Sequence, residues 1–285
     1  MHFGATMFFT DYSMSPTELG PALEAHGFES LWAPEHSHVP ASRKTPFIGG
    51  GEQPKSHYDV MDPFVTLTAA AVATKTLKLG TGVCLVNQRD PIQTAKLVAS
   101  IDQVSGGRFL FGIGVGWAQE EMENHGTAFA TRAKLVRERV EAMKEIWTKS
   151  TAEYHGEFVN FDPMMTWPKP VQKPYPEVLV GGAFPQAARR AIRYGDGWFP
   201  LARIMGQDND VFTIVPKFRE MLKEAGRDPA TFPISLFSPP EGADTWKRYR
   251  DLGIAGVTVG LSSDKADVVL PVLERWAALM RKVQA

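Results

Sequence analysis

Apolar positions in this chain fall into two alternating patterns. Short apolar runs predict strands, and the longer segments between them carry apolar residues at helical spacing. The predicted strands are Phe3–Phe9, Ser30–Ala33, Leu77–Val83, the run beginning at Phe109, Val178–Val180, Gly197–Phe199, Pro233–Phe237 and Gly256–Gly260. The predicted helices are Pro16–Gly27, Pro63–Thr74, Pro91–Gly106, Ala130–Trp147, Pro185–Tyr194, Asn209–Ala225, Thr245–Leu252 and Asp264–Lys282.

The order of these elements predicts the fold. Strands that alternate with helices form a parallel sheet, and eight such units favour a closed (β/α)8 TIM barrel over an open doubly wound sheet. The length of 285 residues suits one barrel, because such domains have about 250 residues. We therefore expect an α/β fold with a single (β/α)8 barrel domain over residues 1–285.

Two long irregular stretches interrupt this pattern. Ser37–Met61 follows the second strand, and Ser150–Glu177 precedes the fifth and has a hairpin-like pattern around Gly156. Long loops in compact domains are commonly lids or binding loops, and barrel active sites are built at the carboxyl ends of the strands. We expect Ser37–Met61 to be a lid that excludes water, with Gly49–Gly51 as its flexible point.

Charge and cysteine content exclude several classes of protein. The chain has 31 basic and 32 acidic residues, so no basic surplus indicates a nucleic-acid partner. Cys84 is the only cysteine, which excludes an intramolecular disulfide and suits a reducing cytoplasm. The N-terminal residues lack the pattern of a signal peptide, and no run approaches the roughly 18 apolar residues of a membrane span. We expect a cytoplasmic protein with no membrane partner that acts on a small molecule.

The run R-F-L-F-G-I-G-V-G-W, residues 108–117, is the most distinctive segment of the chain. An apolar strand leads into Gly112, Gly114 and Gly116 and then into Trp117. Glycines let a backbone approach a ligand closely, and successive free N–H groups hold anions such as phosphate. A dinucleotide fingerprint is a weak alternative, because the spacing departs from G-x-G-x-x-G and the motif usually follows the first strand.

A second glycine-rich strand end, Gly181-Gly182-Ala183, is expected on the same rim of the barrel. Two such ends suggest a phosphorylated cofactor held by backbone amides near the positive end of the next helix. Close packing of strands and loops is the alternative explanation of these glycines. The candidate cofactor contacts on the rim are Thr81, Gly82, Val83, Gly114, Val115, Gly116, Trp117, Gly181, Gly182 and Ala183.

The dipeptide Glu35-His36 directly follows the second strand. A histidine that titrates near neutrality suits proton transfer, so we expect His36 to be the catalytic proton donor or acceptor. Glu35, or a neighbouring backbone group, is expected to orient it. The alternative is that His36 and His38 only hydrogen-bond the turn. Their H-x-H spacing also suggests a metal, but no second cluster of ligands accompanies it, so we predict no metal site.

Five segments in this order resemble the luciferase-like oxidoreductases, in particular the branch that uses the deazaflavin coenzyme F420. The segments are F-G-I-G-V-G-W at 111–117, E-H at 35–36, F-D-P-M-M-T-W-P-K-P-V-Q at 161–172, V-L-V-G-G at 178–182 and Y-G-D-G-W at 194–198. The resemblance covers nearly the whole chain. It implies a (β/α)8 barrel with the cofactor ring in the barrel mouth, facing a substrate pocket under mobile loops.

The resemblance also implies roles for single residues. Gly82-Val83 matches a non-proline cis peptide that backs the cofactor ring, and Val115-Gly116 and Gly181-Gly182 match segments that hold the cofactor phosphate. His36 matches the active-site histidine of the family's glucose-6-phosphate dehydrogenases. Trp117 stands where those enzymes have a catalytic glutamate, so we do not expect sugar-phosphate oxidation by that route.

Two other positions bear on this comparison. Glu120 and Glu121 lie close enough in the sequence to replace the missing glutamate, but we expect the next helix to point them elsewhere. Arg189 and Arg190 either hold the acidic tail of the deazaflavin or are solvated arginines on a helix surface.

The expected activity is hydride transfer between coenzyme F420 and an unidentified small organic substrate. The cofactor carries the hydride, and the protein positions the substrate and moves the proton. An FMN-dependent monooxygenase is the first alternative, because the same barrel and site serve it. A barrel that binds the cofactor without catalysis is the second. A homodimer is a possible assembly.

Overall fold

The computed structural model describes residues 1–202 and 210–285, and its main sheet is a parallel barrel. The strands, in chain order, are β1 (His2–Thr6), β2 (Ser30–Ala33), β3 (Lys78–Thr81), β4 (Cys84–Leu85), β5 (Phe109–Gly114), β6 (Ala152–His155), β7 (Asn160–Met164), β8 (Val178–Gly181), β9 (Gly197–Phe199), β10 (Ser235–Phe237) and β11 (Gly256–Gly260).

The strand order around the sheet is β10-β11-β1-β2-β3-β5-β8-β9. Single parallel bridges from Trp198 to Ile234 and from Leu201 to Phe237 join the region of β9 to that of β10. The short β4 follows β3 after a break at Gly82-Val83 and pairs with β5. Eight parallel strands thus form a nearly closed barrel, and the prediction of an α/β TIM-barrel fold is confirmed.

The helices lie between the strands, close to the predicted positions. They are α1 (Pro16–Ala25), α2 (Lys55–Tyr58), α3 (Pro63–Ala73), α4 (Pro91–Ser105), α5 (Gln119–Asn124), α6 (Arg132–Thr148), α7 (Gln186–Tyr194), α8 (Val211–Glu224), α9 (Ala243–Asp251) and α10 (Ala266–Gln284). The predicted start of one helix at Asn209 lies outside the described residues. None of the helices within residues 1–202 and 210–285 is both long and apolar enough to cross a bilayer.

Local sequence sets several of these helix ends. Asp62 and Asp90 each precede a proline, and their carboxylates accept hydrogen bonds from backbone N–H groups of the first helical turn. Helix α4 ends at Gly106, whose φ of 66° is in the left-handed region that glycine adopts without a steric cost. These helix ends fix the loops that carry residues to the rim of the barrel.

The interior of the barrel is filled by aromatic side chains. Trp32 and Phe199 lie in the interior with ring centroids 4.5 Å apart, and Phe237 packs edge-on against Phe199. A Cβ atom on Gly80 would lie 2.3 Å from the indole of Trp32, so this strand position must be glycine. The barrel is therefore a packed core, and its carboxyl rim carries the loops that form a site.

The long loop before β8 contains the predicted hairpin. Strands β6 and β7 pair in antiparallel register, which confirms the hairpin. The buried carboxylate of Glu138 on α6 accepts hydrogen bonds from the backbone N–H groups of Phe158 and Val159 at the hairpin turn. The hairpin is thereby fixed to the outer layer of helices.

Candidate active site

A buried histidine–carboxylate pair lies at the carboxyl rim of the barrel. Nδ1 of His36, after β2, is 3.0 Å from Oε2 of Glu121 on α5, and the two side chains are 8% and 2% exposed. Oε1 of Glu121 is also buried and has no hydrogen-bond partner among residues 1–202 and 210–285. An imidazole against a buried carboxylate is an arrangement that serves proton transfer.

This contact corrects the expectation that Glu121 points away from the site. The chain turns sharply at Gly116, which has a φ of 67°, and α5 begins three residues later. The first turn of α5 therefore passes over the rim with Glu121 and Met122 buried. Glu121 lies four residues beyond Trp117, and it supplies a carboxylate to His36 from that position.

Glu35 was expected to orient His36, but its carboxylate binds Leu85 and Arg89. Its carboxylate accepts a hydrogen bond of 2.7 Å from the backbone N–H of Leu85 and forms an ion pair with Arg89, which also contacts Asp62. Burial raises the pKa of Glu35, and the charge of Arg89 opposes that rise. Glu35 thus joins the ends of β2 and β4 to the start of α3, whereas the carboxylate in contact with His36 is that of Glu121.

Aromatic rings surround the imidazole of His36. The ring of His57, from the loop 37–61, lies 5.4 Å from it between centroids, and Trp117 is edge-on at 6.0 Å. Phe47, from the same loop, packs against both His57 and Trp117. Burial, followed by the neighbouring His36, lowers the pKa of His57 to about 4. The loop 37–61 therefore covers the site in this structure, and we call it the lid.

Glu120 attaches the lid to α5. Its carboxylate accepts hydrogen bonds from the backbone N–H groups of Lys44 (2.6 Å) and Thr45 (3.0 Å) and from the Thr45 hydroxyl. The Thr45 hydroxyl in turn accepts a hydrogen bond from the backbone N–H of Gln119. The Thr45 hydroxyl and the backbone N–H groups lower the pKa of Glu120 to about 2. The carboxylate is therefore ionised at any ordinary pH.

The predicted cofactor segments meet at the end of β3. The Gly82-Val83 peptide is cis, as the resemblance implied. Cβ atoms built on Gly114 and Gly181 would lie 2.6 and 2.8 Å from the side chain of Val83. The Thr81 hydroxyl donates to the carbonyl of Gly112 at 2.7 Å. These glycines thus allow three strand ends to pack closely, which supports the packing explanation for part of the motif.

Gly116 and Gly182 are different, because unpartnered polar groups lie beside them. Asn87 is fully buried, both of its amide atoms lack a hydrogen-bond partner in the described part of the chain, and its Nδ2 lies 3.8 Å from a Cβ built on Gly116. Nη2 of Arg190 lies 3.5 Å from a Cβ built on Gly182, and its buried Nε is likewise unpartnered. Arg189, by contrast, is exposed and contacts Gln186. A Cβ on Gly116 would also lie 2.7 Å from Cε of Met122, so packing explains this glycine in part. Buried side-chain donors without partners among the described residues fit an anionic group such as phosphate.

The other rim histidines form a separate polar cluster. His38 contacts Ser37 through Nδ1 and Asn124 through Nε2, at 2.9 and 2.8 Å, and Ser37 also contacts His125. Within residues 1–202 and 210–285, no three His, Cys, Asp or Glu side chains are arranged to hold a metal ion.

The family model for luciferase-like monooxygenases matches residues 16–257 of the chain, from α1 to β11. The chain belongs to this family. An uncharacterised protein of Mycobacterium tuberculosis is 36% identical over 282 residues, which cover 98% of both chains. This luciferase-like protein also matches the solved structure of the monooxygenase RslO1 from Streptomyces bottropensis, with a TM-score of 0.80 and 18% identity over 100% of both chains. An F420-dependent secondary alcohol dehydrogenase in complex with an F420-acetone adduct matches with a TM-score of 0.75 and 18% identity, also over 100% of both chains.

Some site residues of this luciferase-like protein carry little signal in the sequence. Glu121 and His57 contact His36 from positions 85 residues and about 20 residues away along the chain, and no local motif marks either of them. Asn87 follows the third predicted strand, and this place predicts a rim residue but not a cofactor contact. Arg190 was a candidate for another role, and its burial beside Gly182 separates it from Arg189.

Proposed function

We propose that this luciferase-like protein is an oxidoreductase that transfers a hydride between deazaflavin coenzyme F420 and a small organic substrate. The observation that carries the proposal is the buried His36–Glu121 pair at the barrel mouth. Hydride transfer to a carbonyl carbon, or from an alcohol carbon, requires a proton to move at the oxygen. A histidine held by a carboxylate is suited to move it.

The two ring nitrogens of His36 have different tasks in the proposed proton transfer. With Glu121 ionised, Nδ1–H of His36 donates to Oε2, which stabilises a positive charge on the ring and fixes its orientation. Nε2 has no partner among the described residues, so it is the atom that exchanges a proton with the substrate oxygen. Trp117 and His57 limit the motion of the ring. Glu35 supports the site by fixing the end of β2 through Leu85 and Arg89.

Two parts of the rim are the proposed cofactor contacts. Gly82-Val83, with Thr81, Gly114 and Gly181 packed around it, forms the surface for the ring. A bound deazaflavin would supply or accept the hydride there. The proposed phosphate contacts lie beside the unpartnered donors and comprise Asn87, Val115, Gly116, Gly182, Ala183 and Arg190.

The lid completes the proposed site. Phe47 and His57 place apolar and aromatic surface over His36, and Glu120 holds the loop in that position. Closing a site excludes water and strengthens the electrostatic interactions inside it. Substrate entry then requires the contacts between Thr45 and Glu120 to open.

An FMN-dependent monooxygenase is the second candidate function. The monooxygenase RslO1 and the F420-dependent alcohol dehydrogenase both share this fold, with TM-scores of 0.80 and 0.75, so the same barrel serves either activity. Both structures are only 18% identical to this chain, so the likeness concerns the fold. The buried acid–base pair favours hydride transfer with a proton step, and we rank the deazaflavin enzyme first.

We also infer that the protein is cytoplasmic and forms a homodimer. A single buried cysteine, Cys84, suits a reducing compartment. Helices α3 and α4 expose large apolar side chains at seven-residue spacing, namely Val65, Val72, Leu97 and Val104. A pair of adjacent helices with such a face is suited to isologous contact with a second copy. Sedimentation velocity of the purified protein tests this assembly.

The function itself is tested by turnover with a substrate panel. Oxidised F420 is mixed with secondary alcohols, and reduced F420 with ketones and enones, while cofactor absorbance is followed with and without oxygen. Oxygen-independent turnover that His36→Ala abolishes is the expected result. Turnover only with reduced FMN and oxygen would move the assignment to the monooxygenase. Cofactor binding without turnover on the whole panel would favour a barrel without catalysis.

A further inference from the structure

We propose that His57, carried by the lid, is a positioning residue for His36, so that closing the lid sets the orientation of the imidazole that moves the proton. The inference rests on the proposed function of His36. It assigns to the lid a task beyond excluding water, since the lid then also completes the acid–base group.

The ring contacts of His57 carry this inference. Its imidazole stacks on Phe8, just after β1, at 4.2 Å between centroids with an interplanar angle of 15°. It also lies nearly parallel to His36, at 5.4 Å and 27°. His57 is therefore packed between residues of the lid and the ends of two neighbouring barrel strands. A ring in this place restricts rotation of the His36 ring and favours the contact of Nδ1 with Glu121.

A short series of contacts within the lid places His57 beside His36. Thr45 is bound to Glu120, and two residues later Phe47 packs edge-on against His57 at 5.2 Å. His57 itself is on α2, where Lys55 and Asp59 form an ion pair one turn apart. The position of His57 against His36 thus depends on the same contacts that hold the lid closed.

The surroundings of His57 also bear on the charge of its ring. The described side chains that touch His57 are those of Phe8, Phe47, Gln53 and His36. Burial and the neighbouring His36 lower the pKa of His57 to about 4, so His57 is uncharged at neutral pH.

The pH dependence of the closed lid follows from this shift. Because the closed lid favours neutral His57, closing has no proton cost above the ordinary pKa of 6.5, and the cost grows as pH falls from 6.5 towards 4. Glu120, with a pKa of about 2, stays ionised throughout that interval. We therefore expect low pH to open the lid through protonation of His57, because Glu120 stays ionised.

Nitrogen NMR of the histidine-labelled protein, without cofactor, tests the proposal. In the wild type we expect His57 to titrate near pH 4 and His36 to hold its proton on Nδ1. The variant His57→Ala is expected to leave His36 as a mixture of tautomers, and His57→Phe, which keeps a planar ring, is expected to restore the wild-type form. Tyr58→Ala on the same short helix is the matched control and should leave His36 unchanged.

Two results would overturn the proposal. One is an unchanged His36 tautomer in His57→Ala, and the other is a His57→Phe variant that does not restore the wild-type form. A His57 that titrates at its ordinary pKa in the wild type would contradict the pH dependence of the closed lid. With a substrate identified, His57→Ala should lower kcat by about tenfold or more, because a catalytic group is displaced, while cofactor affinity is kept. Absence of any hydride transfer in the wild type would contradict the proposed function alone, since the NMR result does not depend on turnover.

Discussion

Glu120 and Glu121 follow one another at the start of α5, and their carboxylates lie in different surroundings. Glu120 faces the lid and is surrounded by hydrogen-bond donors from Lys44 and Thr45. Glu121 faces the barrel and is almost fully buried. One of its oxygens is on His36, and the other has no hydrogen-bond partner among the residues that the structure describes. Successive residues of a helix differ by about 100° in direction, so one short helix serves both the cover of the site and its acid–base group.

The contrast between the two carboxylates shows how a departure from a family pattern at one position can be compensated by a residue a few positions away. The resemblance implies that Trp117 stands where the family's glucose-6-phosphate dehydrogenases have a glutamate, and its ring packs edge-on against His36. The carboxylate that contacts His36 comes from Glu121, four residues further along the chain. The site keeps a histidine and an acid, but the acid lies behind the imidazole. In the proposed mechanism, Glu121 therefore acts through His36 and not directly on a substrate.

Removing the imidazole is the change with the largest expected effect. His36→Ala should lower kcat by about 10²–10⁴-fold, the usual contribution of a general acid–base group, with cofactor affinity retained. Steady-state kinetics with the identified substrate measures it. His38→Ala, which alters only the neighbouring cluster with Ser37 and Asn124, is the control. Equal losses in both variants would contradict the assignment of the proton step to His36.

Glu121→Gln tests the buried carboxylate that contacts His36. The amide keeps the shape of the side chain but lacks the charge that stabilises protonated His36 and can also donate to Nδ1. We expect kcat to fall on the order of 10²-fold or more, as when a histidine is held in the wrong tautomer. The pH–rate profile should change with it. An unaltered profile would mean that the Glu121 contact is only structural.

Arg190→Ala tests the cofactor side of the rim. Hydrogen bonds to charged groups contribute about 1.5–3 kcal/mol, so we expect cofactor affinity to weaken by roughly 10–100-fold. Quenching of cofactor fluorescence measures it. The exposed neighbour serves as the control, and Arg189→Ala should change affinity little. If the two variants weaken binding equally, Arg190 has no special place beside Gly182.

Glu120→Gln removes the charge of the carboxylate that binds the lid. Among these four variants it should have the smallest effect on activity. The lid loses a charged acceptor, so we expect faster hydrogen exchange at Lys44 and Thr45 and a change in kcat below about tenfold, since the proton step is intact. The pKa of Glu120 is lowered to about 2. Its contribution in the wild type is therefore present above pH 4.5 and lost as pH falls towards 2. A loss of activity as large as that of Glu121→Gln would contradict the separate roles proposed for the two carboxylates.

The barrel and part of the site were predictable from the sequence for identifiable reasons. Strand and helix periodicity, together with the Asp–Pro helix starts, predicts the eight units, and resemblance predicts the cis peptide at Gly82-Val83. His36 is a candidate because it lies close to the end of a predicted strand. In each case the signal lies within a few neighbouring residues.

The pairing of acids with their partners was not predictable. Glu35 binds Arg89 across 54 residues, and His36 meets Glu121 across 85. Helix α5 has only six residues, too few for hydrophobic periodicity to show which carboxylate faces the barrel. The contacts of Phe47 and His57 likewise depend on how the lid folds back over the rim.

The most direct test of the account is a titration of the purified protein, free of cofactor, with oxidised F420 and with FMN, followed by quenching of cofactor fluorescence. The account predicts tight binding of F420 and weaker binding of FMN, with the F420 affinity reduced in Arg190→Ala. Binding of neither cofactor would contradict it, because the glycines of the rim would then serve packing alone.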